Sequence, residues 1–179
     1  MVIQLLFLFN IVFGLKMNNN FNNKDSLFNI YNLVNQKESQ GYLSTLNYSN
    51  KLKDYPFSSL VGFSVDDNGF PILSMSDISQ HSKNINKNNN TSLLIPQRGL
   101  TSQNQKRVTI TGNIYKIIDQ DENNYMKEKY LESHKNAYWL KYIDFNMYRL
   151  ENIKDIQYIG GFGKATKINV GIYLKNYSN

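Results

Sequence analysis

Cysteine is absent from the chain, and with it go disulfides, thiolate nucleophiles and every metal site that needs sulfur ligands. Histidine is nearly absent: His81 and His134 are the only two, too few for a histidine cage around a metal. There is no basic block either. The net charge of +6 and the pI near 9.3 come from Lys and Arg scattered along the chain, which permits a nucleic-acid partner without indicating one. No paired carboxylates, no Ser/His/Asp order and no phosphate loop occur. Nor does any apolar run reach the roughly 20 residues that a membrane-spanning helix needs. The longest, residues 5–15 interrupted only by Asn10, has the length of a secretory h-region, although no basic residue precedes it.

Those absences leave a hydrophobic fraction of 41% and an aromatic fraction of 13%, enough for a packed core. At 179 residues the chain is one domain by length. Residues 1–15 read as a signal-like leader. Residues 16–26 form an Asn- and Lys-rich linker or transit segment, 27–170 the folded domain, and 171–179 a C-terminal tail. A leader followed by a segment nearly free of acids points to an endomembrane or secreted route, or to a plastid-like organelle. The sequons at Asn47, Asn89, Asn90 and Asn176 carry little weight in so asparagine-rich a chain.

Within the domain, residues 27–40 show helical spacing closed by Gly41. Residues 41–46 form a short β-prone run. Two apolar runs at 57–65 and 70–75 flank Asp66-Asp67-Asn68-Gly69, which reads as a β-hairpin with Asn-Gly supplying positive dihedrals. Asp66 and Asp67 are turn formers before they are metal ligands. Ser76-Asp77 then precedes Ile78, His81 and Ile85 at the spacing of a short capped helix. Residues 91–96 and 107–119 read as strands, the second alternating with period two. Residues 121–133 read as an amphipathic helix, followed by His134 and Trp139 as packing aromatics. Residues 143–150 and 153–159 supply a last strand or strand pair, which ends at Gly160-Gly161-Phe162-Gly163.

This order and spelling resemble the FMN-binding split-barrel superfamily of pyridoxamine 5′-phosphate oxidase-like proteins, and within it the branch of haem-degrading split barrels and CREG-type proteins. The resemblance rests on Tyr55-Pro56-Phe57, on Asp67 to Ser74 and on Ile78 to Asn84. It extends to Arg107-Val108-Thr109-Ile110-Thr111-Gly112 and to Gly160 to Ala165. It implies an α+β fold: an antiparallel split β-barrel with two to three packing helices. It also implies a homodimer that holds a small-molecule ligand at its seam.

By the same resemblance the flavin phosphate sits where the helix after the hairpin begins, at Ser79, Gln80 and His81. Ser58, Ser59 and Leu60 on the hairpin's first strand, Ser74 and Ser76 on its second, and Arg107 on a later strand complete the cofactor-binding positions. The chain departs from the oxidases of vitamin B6 metabolism at two points. Those enzymes carry Ser-Arg-Lys where this chain has Ser79-Gln80-His81, and an Arg and a Lys where it has Ser58 and Phe63. Oxidation of pyridoxamine 5′-phosphate is therefore not expected. His81 is as readily a helix-face histidine bonded to backbone as a phosphate donor, and Arg107 as readily half of a surface ion pair as an anion ligand. The sequence reading is a flavin (FMN)-binding protein, an oxidoreductase of an unknown small molecule. The alternatives are a cofactor-free CREG-like binding or regulatory protein and a haem-binding protein of the same fold. Haem-degrading relatives place a haem-ligating histidine in a further C-terminal domain. No histidine follows His134 here, so ligation by that route is not expected.

Overall fold

The computed structural model describes residues 23–49 and 51–177; the leader at 1–15 lies outside them. Seven strands form one antiparallel sheet in the order β3-β2-β1-β4-β5-β6-β7, and a further β3–β6 pairing closes six of them into a barrel. The strands are β1 (Gln40–Leu46), β2 (Pro56–Val65), β3 (Pro71–Ser76), β4 (Asn90–Pro96), β5 (Arg107–Lys116), β6 (Phe145–Ile159) and β7 (Ala165–Ile168). The helices are α1 (Asn23–Val34), α2 (Gln80–Ile85), α3 (Gln120–Ser133) and α4 (Val170–Lys175), with a 3-10 turn at Tyr138–Lys141. This is an α+β split barrel.

Period-two alternation sends Leu43, Val61, Phe63, Leu73, Leu93, Ile95, Val108, Ile110, Leu150 and Ile156 into the barrel interior, where all are buried. Ile30, Leu33 and Val34 of α1 extend that core. A smaller cluster lies outside the barrel wall: Ile72 and Met147 pack beneath Met126 and Tyr130 of α3. One side of α3 therefore roofs the β3–β6 wall.

The hairpin forms, but its turn differs from the expected one. Only Gly69 takes a positive φ, +83°, and Asn68 does not. Asp66 N–H donates to Phe70 O and Gly69 N–H to Asp66 O, both at 3.0 Å, so the reversal is a three-residue loop ending in a left-handed glycine. The Asp66 carboxylate organises it by accepting from the amides of Asn68 and Phe70 at 3.0 and 2.8 Å. Asp67 reaches α3, where it meets Lys129 Nζ at 2.9 Å and the Tyr125 hydroxyl.

Other boundaries move as well. α1 begins at Asn23, inside the stretch read as linker, and ends at Val34. α2 is capped by Ser79, whose hydroxyl accepts from the Ser82 amide, so Ile78 precedes the helix and does not lie on its face. β6 is one strand of 15 residues, because Asn152 takes a positive φ of 50° and a register shift opposite Thr111 and Asn113 absorbs the break. The glycine run is the turn of a β6–β7 hairpin, with Gly160 N–H donating to Lys164 O at 2.9 Å. The segment read as a tail holds α4, whose Tyr173 is buried and donates to Gly69 O at 2.8 Å. A helix at the chain's end thus braces the hairpin loop.

Candidate functional site

The outward residues of β2 are Ser58, Leu60, Gly62 and Ser64. α3 covers the last two: Tyr130 lies against Gly62 and Ser133 Oγ stands 3.1 Å from Ser64 Oγ. Beyond α3 the wall is open. Leu60 registers with Tyr42, Tyr42 with Leu94, and Leu94 with Thr109; the next outward row is Ser58, Ser44, Ser92 and Thr111. Across β1, β2, β4 and β5 neither row carries a charge; on β6 Asp155 stands opposite Thr111 and pairs with Lys167 at 2.7 Å. Leu60 is 59% and Tyr42 47% exposed, a large apolar fraction for a monomer's wall. At one edge these two side chains line a cleft of about 420 Å³ together with Lys37, Pro96 and Arg98. Arg107 stands opposite Pro96 on the neighbouring strand. Its Nη1 donates to the carbonyls of Gln103 and Gln105 at 2.7 and 3.2 Å, which holds in place the loop that carries Arg98.

A second group sits at the barrel mouth. Ser59 opposes buried Leu43 and therefore points inward. His81 of α2 places Nδ1 3.1 Å from Ser59 Oγ, and burial depresses its pKa, which favours the neutral imidazole. Gln80 Nε2 donates to Asn84 Oδ1 at 2.8 Å, and Asn84 Nδ2 donates to Thr45 Oγ1 at 3.0 Å. Ser79 Oγ donates to Ser76 O at 2.7 Å. These groups are neutral and already bonded to one another. A flavin phosphate carries two negative charges and would find no fixed cation among them, so they do not fit it well.

Ser74 lies apart from both groups, and Ser76 meets the mouth group through its carbonyl while its side chain turns elsewhere. Ser74 is buried in the layer beneath α3, beside Met147, and its hydroxyl has no hydrogen-bond partner among the described residues. Ser76 Oγ donates to Asp144 Oδ2 at 2.5 Å. The structure thus brings Ser58, Leu60 and Arg107 to one wall and Ser59, Ser79, Gln80 and His81 to the mouth. Tyr42, Leu94 and Arg98 belong with the first group, and sequence reasoning missed them. Strand alternation marks their phase, but only the position of α3 reveals which outward residues stay uncovered. Among the described residues no three His, Asp or Glu side chains gather as a metal site.

A closed antiparallel barrel with a helix across its mouth and one bare wall defines the split-barrel class. The chain belongs to the CREG beta-barrel family, whose model matches residues 32–175. It is 34% identical over 125 residues to the chloroplastic non-canonical heme oxygenase HOZ of Arabidopsis thaliana; the match takes in 70% of this chain and 37% of that protein. The chain therefore spans little more than a third of that relative's length. Among solved structures it superposes on a heme binding protein from Mycobacterium smegmatis with a TM-score of 0.66 and 23% identity, covering 78% of this chain and 56% of that one. It also superposes on a candidate pyridoxamine 5′-phosphate oxidase from Listeria innocua, with a TM-score of 0.57 and 15% identity over 75% of this chain and 98% of that one. At those identities the structural matches speak for the fold alone.

Proposed function

We propose that the chain pairs with a second copy through its uncharged outer wall and binds haem at the seam. The observation that carries the reading is the composition of that wall: Tyr42, Leu60 and Leu94 form an apolar row with Arg98 at its edge. A planar macrocycle with two carboxylates needs that combination of apolar cover and guanidinium rim. The 34% identical plant relative is a heme oxygenase, which supports the same reading. Tyr42, Leu60 and Leu94 would cover the porphyrin and exclude water. Arg98 would meet a propionate, with Arg107 fixing the loop beneath it. When bound, haem supplies iron-centred redox chemistry; the protein contributes orientation and the rim charge. His81 lies on the other side of the sheet from this wall, so no axial ligand is assigned to it. A plastid-type organelle suits both the leader and the relative's address.

Titration of the purified full chain with hemin tests this. A Soret band that saturates at one haem per subunit is expected, and Arg98→Ala should weaken binding about tenfold, the worth of one charged contact near 1.4 kcal/mol. FMN is the second reading, the one that the resemblance to FMN-binding split barrels implies; quenching of flavin fluorescence with no Soret band would select it. A protein that stays colourless with both ligands would instead be a cofactor-free CREG-like barrel.

A further inference from the structure

Haem at the bare wall needs a ligand for its iron, and the chain has few to offer. Cysteine is absent and the histidines number two. His81 hangs from α2 at the barrel mouth, on the far side of the sheet, with Nδ1 3.1 Å from the inward-pointing Ser59. His134 is on the outer face, but it is buried against Gly62; its ring stacks on Tyr130 and its Nε2 stands 2.8 Å from Phe63 O. Thioethers do no better. Met75, Met126 and Met147 are buried in the two cores, and Met1 and Met17 lie outside the described residues. A second copy brings the same set, so pairing adds no free imidazole to the seam.

Oxygen is what remains, and the apolar row holds one strong oxygen ligand. Tyr42 stands between Leu60 and Leu94, which carry no side-chain donor atom, and Thr109 at the end of the row offers only an aliphatic hydroxyl. Tyr42 is half-exposed, and among the described residues its hydroxyl has no hydrogen-bond partner. The other exposed tyrosines near this face are distant. Tyr48 and Tyr55 belong to the β1–β2 connection and Tyr115 lies six residues along β5 from Thr109, each roughly 16–20 Å from the row at the rise of a strand. Charge favours an anion at Tyr42 as well: Lys37 and Arg98 line its cleft against one carboxylate, Glu38.

We infer that Tyr42 is the iron ligand, an inference that rests on the haem reading and deepens it. The phenol gives its proton to solvent and its oxygen binds ferric iron; no electron moves, and the oxidation state is unchanged. Tyrosine is among the side chains that haem iron accepts. An anionic oxygen is a hard ligand, so the site holds ferric haem more tightly than ferrous.

Titration of the full chain with hemin and with metal-free protoporphyrin IX separates the ligand from the cover, because the second keeps the ring and the propionates and lacks the iron. Wild type with hemin is expected to show a phenolate-to-iron charge-transfer band beside the Soret band, with phenolate modes enhanced in resonance Raman spectra. Tyr42→Phe should lose the band and the modes while keeping the wild-type Tm and the wild-type affinity for protoporphyrin. Its hemin affinity should fall at least about tenfold, since loss of even a group behind a ligand costs a metal site that much. A Tyr42→Phe variant that keeps the band, or that loses hemin and protoporphyrin affinity equally, would overturn the assignment and leave haem binding standing. So would a wild-type spectrum of nitrogen-ligated iron, which would turn attention to His134. A wild-type protein with no Soret band would overturn the haem reading and the ligand with it.

Discussion

At the scale of single residues, Gly62 shows how closely α3 is seated. A Cβ built there would lie 2.4 Å from the Tyr130 hydroxyl and 3.4 Å from the His134 ring. Neither ring can retreat: Tyr130 and His134 stack at 4.3 Å, both are buried, and His134 Nε2 lies 2.8 Å from Phe63 O. Gly62→Ala is therefore expected to cost about 1–3 kcal/mol in urea denaturation, the range for overpacking. Tyr130→Phe should recover much of that loss in the double variant, because it deletes the atom in the way. Asp66 offers a test by pH. Its Oδ2 has no hydrogen-bond partner among the described residues, and burial raises the carboxyl's pKa above its usual value despite two amide donors. A raised value means that the folded state holds the proton more tightly than the unfolded chain does. Stability therefore falls as pH climbs from the ordinary carboxylate range through the raised folded value, and stays lower above it. Asp66→Asn keeps an acceptor for the turn and removes the charge. We expect it to raise Tm at neutral pH and to flatten that acid-side slope in thermal melts.

At the scale of elements, the short C-terminal helix has more consequence than its six residues suggest. Tyr173 inserts beneath the hairpin and bonds Gly69 O, Tyr177 packs against it at 5.5 Å, and burial pushes the Tyr177 phenol up to about 12. Tyr173→Phe leaves the buried Gly69 carbonyl without its donor, so a loss of about 1–3 kcal/mol is expected in chemical denaturation. Hydrogen exchange should then rise at residues 66–70 before it rises elsewhere. Sequence pattern could not have exposed this brace. Val170, Tyr173 and Leu174 supply only one helical turn of spacing, and a short helix is stable only against a tertiary surface. The hairpin was legible, since two apolar runs around Asp-Asp-Asn-Gly admit few other structures. Its turn type was not: an Asn-Gly pair prescribes a left-handed glycine but leaves open whether Asn68 joins it, and the Asp66 carboxylate decided that. The capped helix was legible in kind and misplaced by one cap, because Ser76, Asp77 and Ser79 are all competent N-caps and Ser76 was taken by Asp144.

At the scale of the whole molecule, the bare wall makes the strongest quantitative demand. Leu60→Asp places a charge at its centre, where the side chain is 59% exposed and, among the described residues, lies outside both core clusters. Its effect on monomer stability should stay within about 0.5 kcal/mol. Analytical ultracentrifugation should show wild type at twice the subunit mass and the variant at the subunit mass, with haem uptake lost in step. A wild-type monomer would remove the seam.

The chain's own pattern of apolar and polar residues located the hairpin, the other long strands and the helix over 121–133, because a period of two and a period near 3.6 are set by backbone geometry alone; the closed barrel was implied only by the family resemblance, and β7 and α4 were not foreseen. The sequence also placed a resemblance on Ser58, Leu60 and Arg107, which do share one wall. What only the tertiary structure decided is which outward residues stay uncovered. Tyr42 and Leu94 acquire meaning because α3 stops short of them, and His134 loses it as a ligand because it is buried against Gly62 and Tyr130. Both depend on contacts between residues far apart in the chain, which no local spacing encodes.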